Sequence, residues 1–490
     1  MTETDLSSLV PIAIALCLSL FTRNVIIGLF CGVFSGVIMI NGSEPLNAMS
    51  FMVKDHLVPQ LTDSYKAGVI VLLMFIGGFV SLVENSGGGS SFAGAINRWV
   101  KKPIQAQFAA WFAGIVIFFS DLGTPLIVGP VFQPLMDKLA ISRQKLAFII
   151  DSTASPVAIL IPFIGWGVYI MSLINIEYKA LGITESEFSV FVNAIPFQFY
   201  AWLAVFMVPI LAVLKFDFGP MAKTSTNIEK DSTVEVKKIF NHPNAKPILV
   251  WLPLLIMALV LCFLLVPLGF PFKQVSGNDF RAGLSTAYFT AAAMIIALMS
   301  IYKVRTVLNS INIYLKGMSG MTSVAITLIL AWALSDVGKA LGAADYIASV
   351  VETSLSPWLF PIVSFILAAI ISFATGSSWG TFAIMLPLVI PTAAYIDAEM
   401  YVCIGAVLSG GLFGDHSSPI SETTILSSSG AGCTPLEHFR TQLPYAIFNG
   451  AISLLAFTFA GITGWTWIVL VAIALQIFGL MALKRFLHTR

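Results

Sequence analysis

The chain has 490 residues, of which 57% are hydrophobic and 10% charged, with a net charge of +1 and a mean hydropathy of +0.90. Soluble domains run about 25% charged, so a soluble globular fold is excluded. The chain lacks a basic cluster and scatters its aromatics through apolar runs, which leaves no case for nucleic acid; the absence of a Walker-type phosphate loop argues against ATP-driven pumping.

Apolar runs long enough to cross a bilayer recur along the whole chain. The N-terminal Met-Thr-Glu-Thr-Asp has no basic n-region, so Leu9 to Phe21 is expected to be a retained helix and not a signal peptide. Spans are predicted at about 8–22, 24–41, 67–86, 145–175, 190–214, 247–270, 281–301, 320–341, 401–430, 444–462 and 465–483. Two further apolar stretches, 104–138 and 357–395, are broken in the middle. The first break is Ser120-Asp121-Leu122-Gly123-Thr124-Pro125, and the second is Thr375-Gly376-Ser377-Ser378-Trp379-Gly380-Thr381. A central break in a stretch of that length suits a re-entrant helical hairpin. The expected fold is an all-α polytopic membrane protein of about eleven transmembrane helices plus two such hairpins.

Charge placement tests that topology. If both hairpins return to their own side and the other spans cross, 20 of the 26 Lys and Arg residues fall on one side. The minority side receives Lys54, Lys66, Lys179, Lys273, Arg281 and Lys339. By the positive-inside rule the majority side is cytoplasmic, with the N-terminus outside and the C-terminus inside.

The segment Lys215 to Lys246 is the one long polar connection and reads as a cytoplasmic linker between two halves. Gly87 then answers Gly342 at an offset of 255, Phe119 answers Phe373 at 254, and Ser155-Pro156 answers Ser418-Pro419 at 263. Five crossings per half is odd, so the repeats are inverted. The expected division is a first repeat at 1–214 (hairpin 104–138, broken helix 145–175), the linker at 215–246, a second repeat at 247–462 (hairpin 357–395, broken helix 401–430), and an additional C-terminal transmembrane helix and tail at 463–490.

The densest chemistry lies in Gly410 to Gly432, where Asp415, His416, Glu422 and many hydroxyls follow an apolar run. Gly410, Gly411 and Gly414 weaken a helix there, and Pro419 removes a backbone donor. Freed carbonyls, hydroxyls and a carboxylate make hard oxygen ligands for a small cation. Asp151 and Asp415 both precede a Ser-Pro pair, and ionisable residues at bilayer depth mark ion paths; the competing reading is a carboxylate capping a broken helix. The candidate ion or substrate ligands are Asp121, Thr124, Asp151, Ser152, Ser155, Ser377, Ser378, Thr381, Asp415, Ser418, Ser421 and Glu422, with Na+ at Asp151, Asp415 and neighbouring hydroxyls. His416 is the proton-relay candidate, against a merely hydrogen-bonded histidine. Asp336 is expected to pair with Lys339, and Glu84 to face headgroups or a helix terminus. Trp166, Trp379 and Tyr169 divide between lining an organic-solute pocket and filling core. The five cysteines lack metal-type spacing and are expected to be free thiols.

The run Gly414-Asp415-His416-Ser417-Ser418-Pro419-Ile420-Ser421-Glu422-Thr423-Thr424, with the Ser-Asp-Leu-Gly-Thr-Pro break at 120–125, resembles the NhaC-type Na+/H+ antiporters over nearly the whole chain. That family typically has aspartate where this chain has Glu422, and often Cys or Met at Ser417. More broadly, the paired hairpins and broken helices are similar to the ion transporter superfamily. The resemblance implies a scaffold domain, a transport domain that holds both hairpins and moves like an elevator, and a homodimer. Its relatives also include malate–lactate exchangers and proteins thought to carry amino acids.

The expected function is therefore exchange of Na+ (or Li+) for H+ across the cytoplasmic membrane. Burial favours the protonated form of a carboxyl group and a bound cation favours the ionised form, so the two ions compete for the same acids. The alternative is a Na+-coupled transporter of a small organic acid or amino acid, whose carboxylate a helix N-terminus would hold. No cofactor is called for beyond Na+ and H+ as transported or coupling ions. Lacking a nucleophile elbow or zinc-helix motif, the chain is not expected to be an enzyme.

Overall fold

The computed structural model describes residues 6–42, 44–97, 100–121, 123–224, 242–270, 275–343, 346 and 356–488. Among them every regular element is helical and no strand occurs, because backbone in hydrocarbon must satisfy its own hydrogen bonds. Among the described residues nine helices are long and apolar enough to cross a membrane, or up to ten if a bent pair counts as one span. Eleven crossing spans were expected. The regions 145–175 and 401–430 are each divided into short helices, and Leu6–Thr22 is a shorter apolar helix.

In chain order the long elements are α1 (Val10–Thr22), α2 (Val25–Asn41), α3 (Ser64–Glu84), α4 (Pro103–Val116), α5 (Gly123–Lys138), α6 (Arg143–Asp151), α7 (Gly165–Ala180) and α8 (Phe199–Leu214). They continue with α9 (Ile248–Leu265), α10 (Gly277–Ile301), α11 (Val307–Gly320), α12 (Thr322–Ala340), α13 (Phe360–Thr375), α14 (Ser378–Tyr395), α15 (Met400–His416), α16 (Glu422–Ala431), α17 (Pro435–Thr463) and α18 (Ile468–His488). The expected linker lies for the most part (225–241) outside the described residues, as does Leu122 of the first break.

Three helical segments were not expected: Pro45–Thr62, Gly88–Asn97 and α11. All three are too polar or too interrupted to read as spans, and packing holds them. For α11 the contact is backbone to backbone: a Cβ on Gly317 would stand 2.4 Å from the Gly77 carbonyl oxygen of α3.

Both broken stretches divide at the predicted places, α4 from α5 and α13 from α14. The tips share one capping pattern. Ser120 Oγ accepts the Gly123 N–H at 2.7 Å, and Thr124 donates its hydroxyl to the Ser120 carbonyl at 2.9 Å. In the second tip Ser377 Oγ accepts the Gly380 N–H at 3.2 Å, and Thr381 donates to the Ser377 carbonyl at 2.9 Å. Ser-x-x-Gly-Thr thus recurs 257 residues later, and so do Pro130 and Pro134 as Pro387 and Pro391 inside the following helices. The tips are in register at 257, and not at the 254 obtained by pairing Phe119 with Phe373. Gly87 and Gly342 share a left-handed conformation, φ +72° and +70°.

The glycines before Pro419 correct a second expectation. Helix α15 runs unbroken through Gly410, Gly411 and Gly414 to His416. A Cβ on Gly410 would lie 2.3 Å from the Phe365 carbonyl oxygen, and one on Gly414 would lie 2.4 Å from that of Ala369. The absent side chains let α15 lie directly on the α13 backbone, the small-residue packing that membrane helices use in place of a hydrophobic drive. The same logic joins α5 to α16, where a Cβ on Gly129 would meet the Gly430 backbone at 2.4 Å.

Ion pairs sort by the sides expected from the sequence. Lys66 with Asp336, Arg281 with Glu187 and Lys339 with Glu177 join residues of the minority side; Arg143 with Asp137 and Lys145 with Asp217 join residues of the majority side. Lys339 is bound to Glu177 at 3.2 Å, so Asp336 is not its partner; Asp336 instead accepts Gln60 Nε2 at 2.8 Å.

Candidate functional site

Helix α15 ends at His416, and Ser421 is the N-cap of α16. Pro419 lies in the intervening turn, where it cannot supply the amide that would continue the ladder. Within this break the Asp415 carboxylate, 4% exposed, accepts the Ser421 hydroxyl at 2.7 Å and the Thr423 hydroxyl at 3.0 Å. Ser418 turns away and donates to the Phe373 carbonyl at 2.8 Å, tying the break to α13. Glu422, on the first turn of α16, is exposed, and among the described residues it has no hydrogen-bonding or ionic partner.

Asp151 ends α6 as Asp415 nearly ends α15, but its surroundings differ. It is fully buried, and its carboxylate accepts Gln442 Nε2 at 2.6 Å, His438 Nε2 at 3.2 Å and the Ser427 hydroxyl at 3.2 Å. His416 Nε2 donates to the Asp151 backbone carbonyl at 3.0 Å. A carbonyl only accepts, so Nε2 carries a proton, while Nδ1 shares a 3.3 Å hydrogen bond with the Tyr200 hydroxyl. Gln442 also donates to the His416 carbonyl at 2.9 Å, so one amide group braces both broken helices. Nearby in sequence, the buried hydroxyls of Ser152, Ser155 and Thr424 have no hydrogen-bond partner among the described residues, nor has His438 Nδ1. Buried polar groups are nearly always bonded, which marks these atoms as available ligands.

Both tips border the same space. A cavity of about 400 Å³ is lined by Asp121, Trp166, Ser377, Trp379, Asp415 and Glu422, among others. A second, of about 500 Å³, shares Asp121, Trp166, Trp379 and Glu422 with it and adds Glu84. Trp166 donates its indole N–H to Asp121 at 2.9 Å, and Tyr169 donates to the Trp379 carbonyl at 2.7 Å. The Trp166 and Trp379 rings lie 5.1 Å apart.

The structure therefore brings Asp121, Asp415, Glu422, Ser377 and Ser378 to one cavity, with Thr423 beside them. Asp151 does not line that cavity but is within electrostatic reach of Asp415, as is Asp121. Thr124 and Thr381 spend their hydroxyl protons on backbone carbonyls of their own tips. Among the described residues no group of three or more His, Cys, Asp or Glu forms a metal centre. Glu84, expected to face headgroups or a helix terminus, ends α3 and accepts the hydroxyl of Ser120, the residue that caps the start of α5, at 2.7 Å; it also lines the second cavity. Sequence reasoning also missed His438, Gln442 and Ser427. The available signal was the spacing of His438 and Gln442, four residues apart and so on a single face of α17.

A model of the Na+/H+ antiporter family matches residues 157–462. The chain is 29% identical over 94% of its length to an uncharacterized protein of Haemophilus influenzae, of which it covers 92%. It is 35% identical over 22% of its length to the malate-2H(+)/Na(+)-lactate antiporter of Bacillus subtilis, covering 23% of that protein. Among solved structures, MtrF of Neisseria gonorrhoeae, described with a class of antimetabolite efflux pumps, superposes with a TM-score of 0.56 at 14% identity over 85% of each chain. That likeness is one of fold.

Proposed function

The chain belongs to the Na+/H+ antiporter family, and from that premise we propose that it is a secondary transporter exchanging Na+ (or Li+) for H+ across the cytoplasmic membrane. The observation that carries this reading is Asp415, held by Ser421 and Thr423 inside a helix break that opens on a cavity bordered by both tips. A carboxylate with hydroxyl neighbours in a nearly dry break suits a small hard cation, and the same oxygen takes a proton when the cation leaves. Asp151 supplies the second charge, with Ser152, Ser155 and Thr424 offering oxygens that no donor among the described residues occupies.

The repeated Ser-x-x-Gly-Thr tips and the matched left-handed glycines support two inverted repeats, 1–214 and 247–462, each with a re-entrant hairpin. The partition of ion pairs supports the grouping of charges onto two sides, and the positive-inside rule then favours a cytoplasmic C-terminus and an external N-terminus. On this reading both tips belong to one mobile transport domain that carries the site across an immobile scaffold, in a homodimer.

The test uses everted vesicles with a pH-sensitive dye, challenged with Na+, Li+ and K+. Wild type dissipates the proton gradient on Na+ or Li+, and Asp415→Asn abolishes the response. An unchanged response would remove Asp415 from the mechanism. A second reading, Na+-coupled transport of an organic solute, is favoured by the tryptophan-lined space beside the acid.

A further inference from the structure

The space between the tips is large for a bare ion. Each of its two lobes, about 400 and 500 Å³, falls within the range of small-molecule pockets, about 300–1,000 Å³. They meet across Asp121, Trp166, Met321, Trp379 and Glu422, which line both.

The charge of that lining has a sign. Glu84, Asp121, Asp415 and Glu422 contribute four carboxylates. Arg23 borders one lobe and Lys316 the other, and both are exposed. Asp415 is already engaged by two hydroxyls, Glu84 by Ser120 and Asp121 by Trp166, whereas Glu422 has no partner among the described residues. Two indole rings stand at the junction, and indole is the aromatic surface that best attracts a cation. Acid and indole together disfavour an anionic cargo and suit a positively charged head on an apolar body.

We propose that this two-lobed chamber binds a small organic ammonium or guanidinium ion, its charged head at Glu422 and Asp121 and its body against Trp166 and Trp379. The inference rests on the reading that the space between the tips is the transport site. It narrows the alternative of a small organic acid or amino acid to a cationic solute.

The test measures thermal melting of the purified full-length protein in detergent, at fixed Na+ and ionic strength, with lysine, cadaverine and agmatine set against malate and succinate. A saturable rise in melting temperature with at least one cation, and none with either anion, is expected. Glu422→Gln should weaken the apparent affinity at least about ten-fold, in line with a lost charge-assisted contact. Trp379→Leu should weaken it about 2- to 30-fold, and Trp379→Phe should recover part of that loss. Because Glu422 is exposed at a helix start its variant should fold; if it does not, the Trp379 pair decides. Saturable stabilisation by an anion alone, by no solute, or by a cation to which Glu422→Gln and Trp379→Leu are indifferent would overturn the proposal. Vesicles of the same preparation separate the two readings. Na+-driven proton movement without any organic-cation effect sinks this inference alone, and loss of both sinks the transport-site reading as well.

Discussion

Ser120 and Ser377 hold the same post 257 residues apart: each accepts the N–H of the glycine three positions on and receives, at its carbonyl, the hydroxyl of the following threonine. Each thereby starts a helix from within a broken apolar stretch, where an uncapped amide has no water to turn to. The two posts differ in one respect. Ser120 also donates to Glu84 of α3, while Ser377 has no such tie to an acid.

That difference predicts unequal costs. Removing an N-cap hydroxyl costs about 0.5–2 kcal/mol, so Ser377→Ala should lower the melting temperature of the purified protein modestly. Ser120→Ala should cost more, because Glu84 loses its donor as well. Equal shifts in a thermal-melting comparison would show that the Glu84 contact contributes nothing.

Asp151 gathers three side-chain donors, Gln442, His438 and Ser427, in a site closed to solvent. Asp151→Ala leaves them facing apolar surroundings, at about 1–3 kcal/mol for each orphaned group. Asp151→Asn keeps the shape and one acceptor, and should destabilise less while still removing the charge. Melting curves should rank wild type above Asn and Asn above Ala, with Na+-dependent proton movement lost in both variants.

Ser421 and Thr423 orient the Asp415 carboxylate. Hydrogen bonds to a charged group contribute about 1.5–3 kcal/mol, so Ser421→Ala combined with Thr423→Val should raise the half-saturating Na+ concentration by about ten-fold or more. The maximal rate at saturating Na+ should stay within about two-fold if these hydroxyls act by placing the acid. A titration of the vesicle response against Na+ reads both quantities.

Gly414 leaves no room for a methyl group beside the Ala369 carbonyl. Gly414→Ala should push α15 off α13, and overpacking of that kind costs about 1–3 kcal/mol. The same change at Gly94, whose built Cβ has nothing within 4 Å among the described residues, should leave melting nearly unchanged and serves as the control.

Much of this architecture is legible in the letters because lipid imposes long apolar runs and makes each polar interruption conspicuous. Both tips, and the acids before Ser155-Pro156 and Ser418-Pro419, stand out for that reason. What does not show is lateral contact. Glu84 reads as a residue at a helix terminus, and only folding brings Ser120 to it. His438 and Gln442 lie on α17, 287 and 291 positions from the carboxylate they hold, and no local pattern reports a pairing over that distance. The glycines of α15 mislead in the opposite sense: they lower intrinsic helix preference, yet a neighbour that needs bare backbone outweighs it.

The contact of Gly129 with Gly430 has a consequence for motion. Where main chain rests on main chain, no intervening rotamers are free to slip, and sliding one helix along the other would drive carbonyl oxygens into each other. The arm following the first tip and the helix carrying Glu422 are thus obliged to travel together. On the proposed transport reading, a displacement that opened the chamber to either bulk phase would find its slip plane elsewhere.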